Sequence, residues 1–572
     1  MGAKHNNSSR RFFMFYLIVI SVSFSGLVLT FKPLFLLNPM ISSSSIIEIR
    51  YSLPSPVNRN PRWLRLIRNY LPDQKKIRVG LLNIAENERE SYEASGTSIM
   101  ENVHVSLDPL PENLTWKSLF PVWIDEDHTW HTPICPEVPL PRVEGTDADV
   151  DVDVVVVKVP CDGFSENKGL RDVFRLQVNL AAAHLAVESE RRSVDRTVYV
   201  IFIGSCGPMH EIFRCDERVR RVGEYWVYRP DLSRLKQKLL MPFGSCRIAP
   251  QLAQPVAKDQ EGLRPHKNKS LTSTTTLSPF RAQRVAYVTL LHSSEVYVCG
   301  AIALAQSIRQ SGSTKDMILL HDDSIKNSSR IGLSLAGWKL RRVERIRSPF
   351  SKKGSYNEWN YSKLRVWQVT DYDKLVFIDA DFIIAKNIDY LFFYPQLSAA
   401  GNNKVLFNSG VMVLEPSACL FEDLMLKSFK IESYNGGDQG FLNEYFVWWH
   451  RLSKRVNTMK YFGDESKNNK IRQLPDNLEG IHYLGLKPWR CYRDYDCNWD
   501  LKTRRVYASE SVHKRWWKVY DKMPKKLKGY CGLSRKMEKD IEKWRKIAKL
   551  KGFPERHWRI EVRDPRKKNL LN

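Results

Sequence analysis

The chain has 572 residues, of which 43% are hydrophobic and 11% aromatic, so it can bury large cores and is not a wholly disordered protein. Lys and Arg exceed Asp and Glu by 26. This excess predicts an anionic partner, but charge alone does not choose among nucleic acid, a membrane surface, a nucleotide and an acidic polysaccharide.

The first predicted element is a membrane anchor. Residues 12–31 carry no charge over twenty positions, about the ~20 that span a bilayer, and Lys4, Arg10 and Arg11 precede them. The positive-inside rule places residues 1–11 in the cytosol and everything after the anchor in the lumen of the secretory pathway. We therefore expect a single-pass type II membrane protein, in a compartment where nucleic acid is not a partner.

Two further features bear on this topology. The small residues at 23–26 leave a cleavable signal peptide as the alternative to an anchor. None of the ten cysteines forms a CxxC pair, which argues against a zinc ribbon. Cys491 and Cys497 lie close enough in sequence for a short-loop disulfide in an oxidising lumen, with free buried thiols as the alternative.

The chain after the anchor divides by composition. Residues 42–62 are polar and Pro-rich, which indicates a stem over residues 32–62. Residues 63–250 contain strand-like runs separated by a helical pattern and predict an α/β region of unknown role. The polar, Ser- and Thr-rich stretch 251–282 is typical of a linker, and 501–572 forms a basic C-terminal region.

Residues 283–500 alternate strands with helices, which predicts an α/β fold with a mostly parallel sheet. Ligands bind such sheets at the carboxyl ends of the strands. Asp379 and Asp381 fall at one such end, between the apolar runs 375–378 and 382–384. Two buried carboxylates repel each other and are costly to desolvate. A divalent cation would offset both effects and would hold a diphosphate at the same time.

A second acidic alternation in the chain serves as a comparison. Asp147, Asp149, Asp151 and Asp153 also contain Asp-Ala-Asp, but they precede their apolar run instead of interrupting it. We interpret them as the solvated start of a strand with one acidic face. Because Asp-x-Asp alone is a weak pattern, a buried structural pair is the alternative for the acids of the 283–500 region.

Three further motifs combine polar side chains with glycine: FNSG in a predicted strand, NGGDQ in a turn that leads into a helix, and HYLGLK. Histidine is a common metal ligand, glycine lets the backbone approach a phosphate, and lysine supplies a compact charge for one. A buried helix N-cap is the alternative for Asp438. The order of these motifs in one α/β region predicts a single site.

These motifs resemble glycosyltransferase family eight, the glycogenin and galactinol synthase family, and within it the plant glucuronosyltransferases that decorate xylan. The stretches that carry the resemblance are NYSKLRVWQVTDYDKLVFIDADF, FNSGVMVLEPSACLFEDLM, SYNGGDQGFLNEYFVWWH and HYLGLKPWRCYRDYDCNWD. CDGFSENKGLRDVFRLQVNLAAAHLAVE in the preceding region supports the xylan group. The resemblance implies a GT-A fold and a retaining, manganese-dependent enzyme of the Golgi membrane. That enzyme moves glucuronate from UDP-glucuronate to xylosyl residues in plant cell wall biosynthesis.

The resemblance also assigns residues. Asp379, Asp381 and His482 match manganese (Mn2+) ligands, Lys363 matches a family lysine near the donor sugar, and Asp438 orients the donor. Lys363 and Asp438 are therefore the expected catalytic residues. The residues that the resemblance places at the donor are Leu290, Tyr297, Asp379, Ala380, Asp381, Asn408, Ser409, Gly410, Asn435, Gly436, Gly437, Asp438, Gln439, His482, Tyr483, Leu484, Gly485, Leu486 and Lys487.

The sequence departs from the family pattern at three places. The segment from Leu290 to Tyr297 is one residue longer than in glycogenin. One residue separates Gly485 from Lys487, where glycogenin-like members have two, which bears on the contact of Lys487. Asn435 stands where glycogenins carry Asp. An amide places one fewer negative charge beside the sugar, which favours a uronate donor.

A glucuronate carboxylate calls for a cation. Lys363 and Arg365 are the candidates, and because they lie two apart in a predicted helix we do not expect both to face the sugar. A solvated helix charge is the alternative for Arg365. Two other functions stay open: a relative that uses UDP-galacturonate or UDP-galactose, and a non-catalytic polysaccharide-binding scaffold. An oligomer, of like chains or with other xylan-synthesising enzymes, completes the expected partners.

Overall fold

The computed structural model describes residues 61–71, 76–96, 100–103, 105–120, 135–143, 152–161, 171–189, 197–250, 283–402, 405–463 and 472–566. The predicted anchor, nearly all of the stem, the linker and the acids Asp147, Asp149 and Asp151 lie outside these ranges. Within them, no helix has both the length and the apolar character that crossing a membrane requires.

The first α/β region contains eight strands and five α-helices in its described part. The strands are β1 (Ile77–Leu82), β2 (Met100–Val103), β3 (Val105–Ser106), β4 (Arg142–Val143), β5 (Val154–Lys158), β6 (Tyr199–Ile203), β7 (Arg218–Val222) and β8 (Tyr225–Tyr228). The helices are α1 (Arg62–Ile67), α2 (Glu86–Gly96), α3 (Trp116–Leu119), α4 (Val173–Glu188) and α5 (Leu232–Leu239), with 3₁₀ turns at Arg68–Tyr70 and Cys215–Glu217.

Six of these strands form one sheet in the order β2-β1-β5-β6-β8-β7. The first four run parallel, β8 runs antiparallel to β6, and the edge strand β7 runs antiparallel to β8. The first four residues of β5 are fully buried valines, as expected of a central parallel strand covered on both faces. The helical pattern predicted for this region is confirmed as α4, in which apolar residues three and four apart are buried: Val173, Leu176, Leu180, Ala183 and Val187.

The region 283–500, in which catalysis is expected and which is called the catalytic region below, has ten strands in its described part. They are β9 (Val285–Leu291), β10 (Asp316–His321), β11 (Lys339–Arg342), β12 (Lys374–Ile378), β13 (Phe382–Ile384), β14 (Ser398–Gly401), β15 (Phe407–Leu414), β16 (His450–Leu452), β17 (Thr458–Met459) and β18 (Gly480–His482). Its helices are α6 (Val298–Gln310), α7 (Asn327–Ala336), α8 (Ala418–Lys427) and α9 (Asp438–Tyr445). The 3₁₀ helices are Glu295–Tyr297, Asn360–Gln368, Asp389–Phe393, Lys454–Asn457, Pro488–Arg490 and Cys497–Asp500.

The catalytic sheet has seven strands in the order β11-β10-β9-β12-β15-β14-β16. All of them run in one direction except β15, so the predicted mostly parallel sheet is confirmed. A separate small sheet has the order β13-β18-β17. In the large sheet the chain order reverses between β9 and β12, and ligands bind outside the carboxyl ends of strands at such a switch point.

The basic C-terminal region is folded and packed. It forms α10 (Glu510–Asp521), α11 (Lys525–Lys528) and α12 (Arg535–Leu550), with 3₁₀ helices at Lys502–Tyr507, Gly529–Cys531 and His557–Arg559. Trp516 and Trp517 of α10 belong to the same buried cluster as α6 and β12. A disulfide between Cys299 and Cys531 ties this region to α6. These helices therefore complete the core on one face of the catalytic sheet.

All ten cysteines form disulfides, so the alternative of free thiols is wrong and the predicted Cys491–Cys497 bridge is confirmed. The pairs are Cys135–Cys246, Cys161–Cys206, Cys215–Cys419, Cys299–Cys531 and Cys491–Cys497. Cys215–Cys419 joins the first α/β region to α8. Ile248 also bridges to Arg451 of β16, and one buried cluster spans α4, β12 and β15. The two regions share one core.

A buried ionic cluster lies where the two regions meet. Glu415, directly after β15, has a carboxylate oxygen 3.7 Å from Lys374 Nζ and the other 3.4 Å from Arg214 Nη1. Burial favours the neutral acid, but Lys374, Arg214 and Arg234 outweigh it and lower the pKa of Glu415 to about 2. A carboxylate held in this way stabilises the fold as long as it is ionised.

We expect Glu415→Gln to lower the free energy of unfolding by about 3 kcal/mol near neutral pH, because buried cations lose their partner. Urea unfolding of the full chain measures this, with the exposed Glu422→Gln as the matched control. The folded-state pKa lies below the ordinary value of 4.5, so the stabilisation is present above about 4.5 and is lost as the pH falls toward about 2. A wild-type advantage that stays constant down to pH 3 would contradict this account.

Candidate active site

The Asp-Ala-Asp turn connects the two sheets of the catalytic region. β12 ends at Ile378, and β13 begins at Phe382, so the turn leaves the large sheet and enters the small one. The Asp379 N–H donates to the Gly410 carbonyl at 2.9 Å, and the Tyr483 N–H donates to the Asp381 carbonyl at 2.9 Å. The two acids are therefore fixed from both sides at the switch point of the large sheet.

Strand pairing brings His482 to the same place. β18 runs antiparallel to β13 with His482 opposite Phe382, one residue from Asp381. The His482 Nε2 atom lies 3.3 Å from Asp381 Oδ1 and 4.0 Å from Asp379 Oδ2. A residue 101 positions later in the chain is thus placed beside the acid pair by a single strand register.

These three residues fit a divalent cation. Their candidate ligand atoms, two carboxylate oxygens and an imidazole nitrogen, all lie within 4.8 Å of one another. His482 Nδ1 is buried with no hydrogen-bond partner among the described residues, so only Nε2 faces the carboxylates. The Asp379 side chain keeps 29% of its surface exposed, which leaves the cluster open on one side. Carboxylate-rich donor sets suit hard divalent ions.

Two lysines offset the cost of burying the acids. Lys487 Nζ lies 2.5 Å from Asp381 Oδ2 and donates to the Tyr483 carbonyl. Burial alone would raise the pKa of Asp381, but Lys487 and His482 outweigh it and hold that pKa well below its usual range. Asp381 is therefore ionised at any physiological pH, as a metal ligand must be.

Lys363 is the second lysine and lies between two acids. Its Nζ is 3.2 Å from Asp379 Oδ1 and 2.6 Å from Asp438 Oδ2. Burial opposes the lysine charge, but Asp379 and Asp438 raise the pKa of Lys363 above its ordinary value. The Ser409 hydroxyl also donates to Asp438 Oδ2, at 2.8 Å. The two expected catalytic residues thus form one hydrogen-bonded unit.

The N-cap alternative for Asp438 is wrong. α9 has Gly437 at its N-cap, and the side chain that binds the backbone there is Asn435, whose Oδ1 accepts from the N–H groups of Gly437 and Gly440 at 2.9 and 3.2 Å. Ser433 Oγ donates to the same oxygen at 3.1 Å. Asn435 therefore holds the turn, and Asp438 is left to face Lys363.

The antiparallel direction of β15 explains how FNSG reaches the site. Asn408, Ser409 and Gly410 lie at the start of this strand, which would be the far edge of the sheet if β15 ran parallel to its neighbours. Asn408 Oδ1 accepts from Gly410 N–H at 2.8 Å and from Asn457 Nδ2 at 2.9 Å. A Cβ on Gly410 would lie 2.6 Å from the His482 ring, so only glycine fits there.

The hypothesis that Arg365 reads a donor carboxylate is wrong. Arg365 Nε donates to the Glu344 carbonyl at 3.0 Å, and its Nη1 donates to Gln368 Oε1 at 2.9 Å. The guanidinium lies over the Phe421 ring and shares no hydrogen-bond or ion-pair partner with Lys363 among the described residues. The segment is a 3₁₀ helix with ~3 residues per turn, so side chains two positions apart point to different sides.

Between His482 and Lys487, the side chains of Tyr483 and Leu486 lie in the core and not at the site. The Tyr483 hydroxyl donates to the Val512 carbonyl at 3.0 Å in the core, and the Leu486 side chain lies in the cluster around the Cys491–Cys497 disulfide. Gly485 adopts φ +76°, and Asn498 Oδ1 accepts from Leu486 N–H at 2.8 Å, which fixes the loop that carries Lys487.

The remaining assigned residues lie around this cluster. Leu290 is in β9, and the Tyr297 ring centroid is 5.9 Å from Lys487 Nζ. Gln439 Oε1 accepts from Ser409 N–H at 3.3 Å, and Gly436 adopts φ +69° in the turn before α9. The contacts of all these residues with a donor stay predictions.

A polar group that the sequence did not predict lies at the carboxyl ends of β9 and β10. Asp322 accepts from Ser293 N–H at 3.1 Å and pairs with Arg345 Nε at 3.1 Å. The Arg345 guanidinium lies 4.4 Å from the Trp359 ring centroid. Burial lowers the pKa of His292, which is close enough to Asp322 and Asp438 for both to oppose that shift. An acid directly after an apolar strand, the pattern that identified Asp379, also marks Asp322.

Comparison with known proteins covers both regions. The GUX1-5 N-terminal domain model matches residues 56–246, and the glycosyl transferase family 8 model matches residues 288–402 and 394–492. Among solved structures, the galactosyltransferase LgtC is 15% identical, with a TM-score of 0.32 over 43% of this chain and 99% of that chain.

Relatives in Arabidopsis thaliana match over most or all of their length. The chain is 85% identical over 573 residues to "Putative UDP-glucuronate:xylan alpha-glucuronosyltransferase 5", covering 100% of both chains. It is 47% identical over 499 residues to UDP-glucuronate:xylan alpha-glucuronosyltransferase 2, covering 86% of this chain and 81% of that protein. The chain therefore belongs to the UDP-glucuronate:xylan alpha-glucuronosyltransferase family, whose catalytic region is a family 8 glycosyltransferase.

Proposed function

We propose that the protein transfers glucuronate from UDP-glucuronate to xylosyl residues of xylan, with retention of configuration, in the biosynthesis of cell wall glucuronoxylan. The observation that carries this proposal is the acid cluster of Asp379, Asp381 and His482 flanked by Lys363 and Lys487. The names of the Arabidopsis relatives supply the donor and the acceptor. The strand order and the position of the acids support a catalytic region of the GT-A type.

The cation that we propose for the cluster is manganese, held by Asp379, Asp381 and His482. When bound, it would supply positive charge for the diphosphate of the donor and so help UDP to leave. Oxygen-rich ligand sets of this kind suit manganese and magnesium, and the family resemblance favours manganese. Manganese binding to the wild-type chain, measured by the electron paramagnetic resonance of the free ion, tests this assignment without an activity assay.

The chain's own residues account for the rest of the chemistry. Lys487 adds a compact positive charge beside Asp381, where the leaving diphosphate develops negative charge. Asp438 Oδ2 accepts from both Lys363 and Ser409, which suits a residue that orients the donor better than one that attacks it. A xylosyl hydroxyl oxygen then bonds to the anomeric carbon as the bond to the phosphate oxygen breaks. The hydroxyl proton passes to the departing phosphate.

A panel of donors tests the proposal. The full-length chain is incubated with manganese, xylan oligosaccharides and each of UDP-glucuronate, UDP-galacturonate, UDP-galactose and UDP-glucose. We expect transfer with UDP-glucuronate at the highest kcat/KM. Preference for UDP-galacturonate or UDP-galactose would make the chain a relative with another donor. Binding of xylan without transfer from any donor would make it a scaffold.

We further propose a single-pass type II protein of the Golgi membrane with its catalytic region in the lumen. The uncharged stretch 12–31 supports the anchor, and five disulfides suit an oxidising lumen. In intact vesicles a protease should leave the catalytic region whole until detergent is added, and digestion without detergent would overturn the topology. Association with like chains or with other xylan-synthesising enzymes stays a prediction.

A further inference from the structure

The first α/β region has a switch point of its own. In its sheet β2 lies on one side of β1 and β5 lies on the other, so a crevice is expected outside the carboxyl ends of β1 and β5. The structure has a cleft of about 350 Å³ there, lined by residues that follow β1, by the β3 segment and by the first turn of α4. It is separate from the catalytic cluster, which consists of Asp379, Asp381, His482, Lys363 and Lys487, since none of these five residues lines it.

Asn83 marks the carboxyl end of β1 in this cleft. It adopts φ +55°, a left-handed conformation that is uncommon for a residue other than glycine. Its Nδ2 donates to the Lys158 carbonyl at 2.7 Å and so ties β1 to β5. In the part of the chain that the structure describes, Asn83 Oδ1 accepts no hydrogen bond, which leaves an acceptor at the cleft.

The other lining groups fit an uncharged, polyhydroxylated ligand. Phe174 keeps 38% of its surface exposed at the cleft, with Leu107 and Pro109 as further apolar surface. Arg89 Nε is buried without a hydrogen bond among the described residues and has only the Glu86 carboxylate 3.9 Å away. Asp108 also lines the cleft and offsets the charge of Arg89, so the lining has no net positive charge that would attract an anion. A few convergent polar groups beside an aromatic ring suit a sugar chain, which has apolar ring faces and hydroxyl edges.

This cleft is close to the catalytic region. Arg171, three residues before Phe174, donates to Glu444 Oε2 at 2.9 Å. Glu444 lies on α9, whose first residue is Asp438, and six residues of helix span about 9 Å. A polymer several sugars long is therefore of the right size to contact Phe174 and the catalytic cluster together, whereas a short oligosaccharide is not.

We propose that the cleft lined by Asn83, Arg89, Asp108 and Phe174 is a second binding site for the neutral backbone of the xylan acceptor. This inference rests on the proposed function, because it takes the acceptor from it. The first α/β region then contributes to acceptor binding, and the cleft holds part of the polymer while another part of the same chain is modified at the catalytic cluster.

The dependence of KM on acceptor length distinguishes a role of Phe174 in acceptor binding from a role in the fold alone. Full-length wild type and Phe174→Ala are assayed with UDP-glucuronate and unsubstituted xylooligosaccharides of increasing length, and Phe429→Ala, which removes an aromatic ring that is 68% exposed elsewhere, is the matched control. We expect Phe174→Ala to raise KM for long acceptors by about tenfold, the loss of one aromatic contact. Its kcat, its KM for UDP-glucuronate and its KM for the shortest acceptor should stay at wild-type values.

A binding measurement completes the test. Calorimetric titration of the full chain with a long xylooligosaccharide, without any UDP-sugar, should show binding to wild type that Phe174→Ala weakens and Phe429→Ala does not. Wild type that transfers glucuronate to no acceptor would defeat the proposed function. An active wild type whose Phe174→Ala variant matches Phe429→Ala at every length and in the titration would defeat this inference alone, and so would an equal rise of KM at all lengths.

Discussion

Replacing Asp381 with asparagine should lower glucuronate transfer by roughly 100- to 1,000-fold while the fold survives. The amide keeps the shape of the side chain but removes the negative charge that lies 2.5 Å from Lys487 Nζ and 3.3 Å from His482 Nε2. The cluster then has one carboxylate instead of two for a divalent cation. Initial rates, the melting temperature and the dissociation constant for manganese, each measured on the same preparation, separate loss of metal from loss of fold.

The other Asp-Ala-Asp of the chain provides the control. Asp149→Asn makes the same chemical change in the same tripeptide, in a stretch that the sequence places before an apolar run. It should leave the rate and the manganese affinity near their wild-type values. Equal losses at the two positions would remove the distinction between a site acid and a solvated acid on which the active-site assignment depends.

The gross arrangement of the site was predictable from sequence because it follows from topology. An acid pair after an apolar strand lies at the carboxyl edge of a parallel sheet wherever the other strands are, so Asp379 needed no further information. His482 was harder to place, because its position depends on the register of β18 against β13, and a register is set by pairing across the chain. The motif that contains His482 could be recognised in the sequence, but the distance of 3.3 Å between His482 Nε2 and Asp381 Oδ1 could not be predicted from it.

The errors came from local geometry that a pattern does not specify. Arg365 was one of two candidates for the sugar carboxylate, with a solvated helix charge as the alternative, and a 3₁₀ helix turns it toward Glu344 and Gln368. An N-cap was the alternative to a site role for Asp438, yet Asn435 takes the backbone bonds. The buried cluster around Glu415 was not foreseen, since its cations come from strands and turns far apart in sequence.

Replacing Lys363 tests the part of the site that faces the donor sugar. Lys363 is the cation shared by Asp379 and Asp438. Lys363→Ala therefore leaves one half-buried and one buried carboxylate without it and should lower transfer by roughly 100-fold or more. Arg365→Ala, from the same 3₁₀ helix, removes a cation whose contacts, in the part of the chain that the structure describes, are Glu344, Gln368 and Phe421. It should stay within about 0.5 kcal/mol of wild type in both stability and rate.

The choice of donor sharpens the Lys363 test. With Lys363 gone, uncompensated negative charge repels a uronate more than a neutral hexose, and a direct hydrogen bond from Lys363 to the glucuronate carboxylate would add to the difference. Binding of UDP-glucuronate should then weaken more than binding of UDP-glucose, by about 2 kcal/mol, the worth of a charge-assisted hydrogen bond. Titration of both nucleotides into wild type, Lys363→Ala and Lys363→Arg measures this, and the arginine should restore part of the preference because it restores the charge. Equal losses for the two donors would show that Lys363 only supports the acid pair. Another group must then bind the uronate carboxylate, and Arg345, which pairs with Asp322, is the next residue to test.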